Sequence, residues 1–183
     1  MTTPVALLWL WVGLVLDRGL EPLFDAEPGG VRIAVDVLLI AAVWVAIRSR
    51  SHVSAAGASL SNHAEIRPAG ALLWTGLAGA AADLVAGLGY IGPRTLGLMA
   101  ASALVLVARR GLNARSAPGL AAALTLAGVL AGVVSAGLYA ARSLLTDAGG
   151  PRAVPHLLDS VASACVTAAT AAVVAFLIAR FRR

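Results

Sequence analysis

The sequence predicts an all-α membrane protein, a six-helix transmembrane bundle with both termini cytoplasmic. Three observations carry this expectation. Hydrophobic residues make up 60% of the 183 residues and charged residues only 13%, against about a quarter charged in a soluble domain. The apolar stretches are divided into six segments by arginine, glycine and proline. The basic residues, all 14 of them arginine, are spread unevenly over the connections. At about 20 apolar residues per span, the length accommodates roughly five to seven spans and leaves almost nothing for a soluble catalytic domain.

The first segment, residues 4–16, is short for a full span, so a tilted or laterally supported helix is expected. It has no basic n-region and no small-residue cleavage site ahead of the acidic stretch that follows, which argues for a retained helix over a signal peptide. The second, 31–47, opens at Val31-Arg32 and is closed by Arg48 and Arg50. The third runs over 69–90 and the fourth, again short, over 95–108. The fifth occupies 117–141, and the sixth, 154–179, ends on Arg180, Arg182 and Arg183. Residues 1–183 thus read as one polytopic membrane domain.

Charge placement sets the expected orientation. Arg48, Arg50 and Arg67 lie between helices two and three, Arg109, Arg110 and Arg115 between four and five, and Arg180, Arg182 and Arg183 at the C-terminus. With six spans these nine share one side, which the positive-inside rule makes cytoplasmic. Arg18, Arg32, Arg94, Arg142 and Arg152 fall on the other side, offset by Asp17, Glu21, Asp25, Glu27 and Asp147. A pI near 11.0 would point to nucleic acid only if the arginines formed a patch on a soluble face. Set between apolar runs they speak for topology, so the expected surroundings are a lipid bilayer, with no nucleic-acid partner.

Cofactor chemistry is not expected. Cys165 is the single cysteine, which leaves no intrachain disulfide and no cysteine-based zinc or iron-sulfur site. His52 and His63, in the polar connection Ser49 to Pro68, are not at a metal-ligand spacing. No Walker loop, HExxH motif or metal-holding run of carboxylates is present, and no catalytic residues are assigned.

Acids at bilayer depth each cost about 2.5–3.5 kcal/mol on insertion scales, so Asp36, Asp83 and Asp159 need individual explanations. Asp36 sits near the start of its helix, where it suits the helix dipole and stands four residues after Arg32. Gly79, Asp83 and Gly87 repeat at i, i+4, i+8, a small helix face with one carboxyl at its centre. That face reads either as a proton or cation relay or as an interhelical polar clamp. The lack of a second deep acid on that helix, and of a basic partner at helical spacing, favours the clamp. Asp159, Ser163, Thr167 and Thr170 form a polar stripe that faces protein or a cavity, although such hydroxyls also bond back to their own helix. His156, three residues before Asp159, is a further candidate partner for it. Gly128 and Gly132 make a GxxxG pair suited to close helix crossing, within the bundle in preference to dimerisation.

The stretch Gly76-Leu-Ala-Gly79-Ala-Ala-Ala-Asp83-Leu84-Val-Ala-Gly87, followed by Leu96-Gly97-Leu98 and the basic stop Arg109-Arg110, resembles the MreD family of rod shape-determining membrane proteins. In that family a Gly-x-x-x-Asp-Leu-x-x-Gly helix end precedes a Leu-Gly-Leu helix opening and a basic stop. Val31-Arg32 with Arg48 and Arg50, and the last helix from Leu157-Leu158-Asp159 to its arginines, agree with the pattern. The resemblance implies a non-enzymatic scaffold of the side-wall peptidoglycan machinery in the bacterial cytoplasmic membrane. It implies as partners a bitopic MreC-like protein, a RodA-type glycosyltransferase with its transpeptidase, and MreB indirectly. It also implies a fold similar to the substrate-binding subunits of energy-coupling-factor transporters. Two other readings stand beside it: a small-molecule or vitamin-binding transporter subunit, and an intramembrane enzyme that brings Asp83 and Asp159 to one substrate.

Overall fold

A computed structural model describes residues 1–24, 33–49, 66–86, 92–108, 117–146 and 153–181. Those residues form six α-helices: α1 Thr3–Phe24, α2 Val37–Arg48, α3 Pro68–Val85, α4 Pro93–Ala108, α5 Ala117–Thr146 and α6 Ala153–Phe181. Pro4, Pro68, Pro93, Pro118 and Pro155 all occupy the first three positions of their helices, where a missing N–H costs no intrahelical bond. Three helices, α3, α5 and α6, are long and apolar enough to cross a membrane. At about 1.5 Å per residue they measure roughly 27, 45 and 44 Å.

The shortest helix is the centre of the bundle. Seven of the twelve residues of α2 are buried, and it packs against all five other helices. A helix apolar on every side has to be enclosed in this way. The surrounding helices turn large apolar side chains outward: Trp9 and Trp11 on α1, Leu73 and Leu77 on α3, Val107 on α4 and Phe176 on α6 are all exposed. Among the described residues, thirteen of the 22 buried apolar ones are alanine, so the helix backbones can approach closely, as they do where packing replaces a hydrophobic drive between helices.

Beside the end of α5, which lies at Thr146 and not at 141, three expected boundaries are corrected. Helix α1 continues eight residues beyond position 16 to Phe24, because apolar character ends at Asp17 whereas helical backbone does not. Asp17 is buried and pairs with Arg94 at 2.7 Å, and the Arg18 guanidinium donates to the Ala82 carbonyl of α3 at 3.0 Å. Arg18 and Arg94, read from the sequence as loop charges, are therefore contacts between helices. Helix α3 ends at Val85, short of position 90, and Gly87 lies outside the described residues.

The third correction is at α2, which begins at Val37 and not at 31, with residues 33–36 non-helical. Exposed backbone polar groups are costly in an apolar setting, and α6 supplies the missing partners. Ser163 Oγ accepts from the Ala34 N–H at 3.1 Å and Thr167 Oγ1 from the Asp36 N–H at 2.9 Å. The stripe on the last helix thus acts as a surrogate strand edge. Thr167→Val should lower stability by about 1–2 kcal/mol, because it keeps shape and orphans a donor. Thr170→Val, whose hydroxyl bonds back to the Val166 carbonyl at an exposed position, should stay within about 0.5 kcal/mol. Thermal unfolding of both variants in detergent checks the pair, and equal losses would contradict this role for Thr167.

Candidate functional site

The carboxylate of Asp83 is fully buried near the end of α3 and reaches across to the start of α4. Its Oδ2 accepts from the Gly92 N–H at 2.9 Å, the Thr95 N–H at 3.1 Å and the Thr95 hydroxyl at 2.8 Å, and its Oδ1 from the Arg94 N–H at 3.1 Å. The first N–H groups of a helix have no partner within it and carry its partial positive charge. Asp83 therefore caps a neighbouring helix in trans. The approach depends on Gly79: a Cβ there would stand 2.7 Å from Thr95 Cα and 2.9 Å from the Arg94 carbonyl oxygen. Gly76 meets Met99 one turn away, so α3 and α4 run antiparallel along this small face. The interhelical clamp expected from the Gly79 and Asp83 spacing is present, with α4 as its second jaw.

Gly128 and Gly132 play the corresponding part between α5 and α6. Added Cβ atoms would lie 2.5 Å from Ala164 Cβ and 2.5 Å from Ser160 Cβ respectively. Partner numbers fall as glycine numbers rise, which makes this an antiparallel seam inside the bundle. Gly97 closes α4 onto α5 in the same way, against Ser135 and Ala131.

Between these seams lies a cavity of about 360 Å³. It sits where the late parts of α1 and α5 meet the early parts of α4 and α6 and the segment ahead of α2. Asp17, Asp36, Arg94, Tyr139 and Asp159 supply its ionisable and phenolic groups, with Ser160 and Ser163 beside them. Asp36 is the N-cap of α2 and accepts from the Leu39 N–H at 2.7 Å. Its expected partner Arg32 is outside the described residues; Asp17 and Arg94 line the same cavity as Asp36. Ser135 is held by donating to the Pro93 carbonyl at 2.9 Å.

The structure divides the sequence-predicted residues into three groups. Gly79 and Asp83 form the clamp. Gly128, Gly132, Asp159 and Ser163 line the cavity, and Thr167 anchors the segment behind it. Asp83 is not among the lining residues, so it and Asp159 do not share this site. Among the described residues no group of three or more His, Cys, Asp or Glu is placed to hold a metal ion. His52 and His63 lie outside those residues. Sequence reasoning missed Asp17, Arg94 and Tyr139, because the groups they meet lie on other helices, far away in the chain. The one available signal was an Asp-Arg pair placed directly after an apolar run that the helix then continued through.

Comparison with known families, curated proteins and solved structures finds no match to this chain.

Proposed function

We propose that this chain is a six-span protein of the bacterial cytoplasmic membrane, with both termini inside. On this reading it serves as an MreD-like, non-enzymatic scaffold of the cell-wall elongation machinery. It binds a bitopic MreC-like partner and, through that partner, stands beside a RodA-type glycosyltransferase, its transpeptidase and, indirectly, MreB.

One observation carries the reading. Three of the residues on which the resemblance rests, Gly79, Asp83 and Gly97, are spent on holding helices together. A motif used for architecture suits a protein whose output is a shaped surface, and the outward apolar faces supply surface for lipid and for a partner helix. Arginine placement supports the orientation, and more strongly than the sequence count does. With Arg18 and Arg94 engaged between helices, the outer side has at most Arg32, Arg142 and Arg152 to set against nine inner arginines.

Detergent extraction and affinity capture of the tagged full chain from its host should recover an MreC-like protein in near-stoichiometric amount, and depletion should round the cells or disorder their wall pattern. Normal morphology in a clean deletion, together with no such partner in the capture, would overturn the proposal. The cavity favours a second reading, that of a small-molecule carrier subunit, because ionisable residues in the interior of a membrane bundle commonly mark a ligand path.

A further inference from the structure

We infer that a lateral groove between α1 and α6 binds one anionic phospholipid, its phosphate at Arg48 and an acyl chain along α2. The ring of helices around α2 is open on one side. Among the described residues α1 packs on α3, α3 on α4, α4 on α5 and α5 on α6, and no such seam joins α6 back to α1. The arc of α2 from Ala41, against Gly13 of α1, round to Leu39, against Gly128 of α5, is covered. The five residues of α2 that are not buried, Val37, Ile40, Trp44, Ile47 and Arg48, share the remaining side, which faces the gap.

The walls come from α1 and α6. Arg18 turns toward α3, and Trp9, about two and a half turns earlier on the same helix, lies on the opposite flank and is exposed. On α6 the row Ser163, Thr167, Thr170 and Val174 shares one face. Its first two members bond to the segment ahead of α2, whereas Thr170 and Val174, further along, are exposed. Both residue numbers rise together across these bonds, from Ala34 with Ser163 to Asp36 with Thr167, so α2 and α6 run in the same direction and Val174 comes level with Trp44. Helix α6 therefore closes on the start of α2 and stands off from its end. The groove is blind beside Asp36 and open beside Arg48.

Length and charge choose the occupant. The twelve residues of α2 measure roughly 18 Å, close to one leaflet of a hydrocarbon core about 30 Å thick and too short for a partner's spanning helix. At the open end Arg48 is exposed, with its guanidinium carbon 4.6 Å from the centroid of the Trp44 ring. Stacking of this kind orders a cation without neutralising it, and no carboxylate among the described residues pairs with Arg48. The sequence that follows α2 and leads to α3 adds Arg50 and Arg67 against Glu65, and the chain beyond Ala179 of α6 adds Arg180, Arg182 and Arg183, so the formal charge around the mouth is positive. A basic mouth over an apolar slot one leaflet deep is the complement of a phospholipid with a net negative headgroup. In the proposed orientation this is the inner leaflet. Only that leaflet assignment rests on the reading above; the lipid contact does not depend on the scaffold role, and partner capture and lipid retention are measured separately.

The test is lipid binding to the full chain in mild detergent, read by native mass spectrometry, with phosphatidylglycerol and phosphatidylcholine of identical acyl chains supplied separately. One phosphatidylglycerol per chain should be retained roughly tenfold more tightly than phosphatidylcholine, because the basic mouth meets a net negative headgroup and not a zwitterionic one. Arg48→Gln should bring the two lipids within about twofold of each other. Val174→Trp, which keeps every charge and fills the slot from an exposed position, should abolish retention of that lipid, whereas Val107→Trp, at an exposed position of α4, should leave it unchanged. Glycerol phosphate in solution should not displace the lipid. Equal retention of the two lipids, displacement by glycerol phosphate, or a preference that survives in folded Arg48→Gln and Val174→Trp proteins would each overturn the assignment. So would loss of partner capture or of self-association in Val174→Trp while lipid retention stays intact, since the groove would then hold a helix.

Discussion

Asp83→Ala should destabilise the protein by about 3–5 kcal/mol, the loss expected for a buried charged acceptor that serves several donors, well above the usual cost of a lost cap. Four hydrogen bonds disappear at once, and the Gly92, Arg94 and Thr95 N–H groups at the start of α4 are left without an acceptor in an apolar setting. For a chain of this size the unfolding temperature should fall on the order of 10 °C. Asp83→Asn grades the effect. Its amide oxygen can take the Oδ2 position, which accepts three of the four bonds, but its NH₂ then faces the Arg94 N–H, donor against donor. The Asn variant should therefore lie between wild type and Ala, with a loss of about 1–2 kcal/mol. Equal losses for Asn and Ala would mean that charge alone matters at this site, and no loss for either would remove the clamp. The measurement is thermal or denaturant unfolding of purified protein in one detergent. Hydrogen exchange at the first turn of α4 should accelerate in step.

Gly132→Ala should cost about 1–3 kcal/mol through overpacking, more than the roughly 1 kcal/mol that replacing a helical glycine by alanine returns through propensity. The opposing contact is Ser160 Cβ at 2.5 Å, an atom fixed to its backbone, so the only relief is to push α5 and α6 apart. Two internal controls make the sign informative. At Gly137, one and a half turns along the same helix, an added Cβ would meet nothing within 4 Å, and Gly137→Ala should stabilise by about 0.5–1 kcal/mol. Ser160→Gly combined with Gly132→Ala should recover most of the loss, since it removes the atom that clashes. A further double variant, Gly128→Ala with Gly132→Ala, should lose less than the sum of the two single changes, because separating the helices for one Cβ makes room for the other. Strict additivity would mean that the seam yields locally at each glycine.

Local pattern in the chain was enough for the number and order of the helices. Proline in the first turn acts on backbone locally, so α3, α4, α5 and α6, which all have one there, begin within about two residues of where hydropathy and punctuation place them. The small face of Gly79 and Asp83, and the GxxxG pair Gly128 and Gly132, were legible for the same reason: helical spacing shows which residues share a face. Their partners were not. The donors that Asp83 satisfies lie nine to twelve residues on, across a connection that periodicity cannot follow. The non-helical residues ahead of α2 looked helical because their support comes from hydroxyls roughly 130 residues later in the chain.

Composition and patterning thus account for an all-helical chain with spans apolar enough for a membrane, since each helix answers to its own hydropathy and end signals. Folding in three dimensions settles matters of a different kind: that the short α2 lies at the centre, that Arg94 belongs to Asp17, and that ionisable groups from four separate elements face one cavity. These depend on helix faces meeting across the bundle, where a hydrogen bond, or a glycine set so close to a neighbouring helix that an added Cβ would meet that helix's side chain at 2.5 Å, is decided by packing geometry that no single stretch of sequence contains.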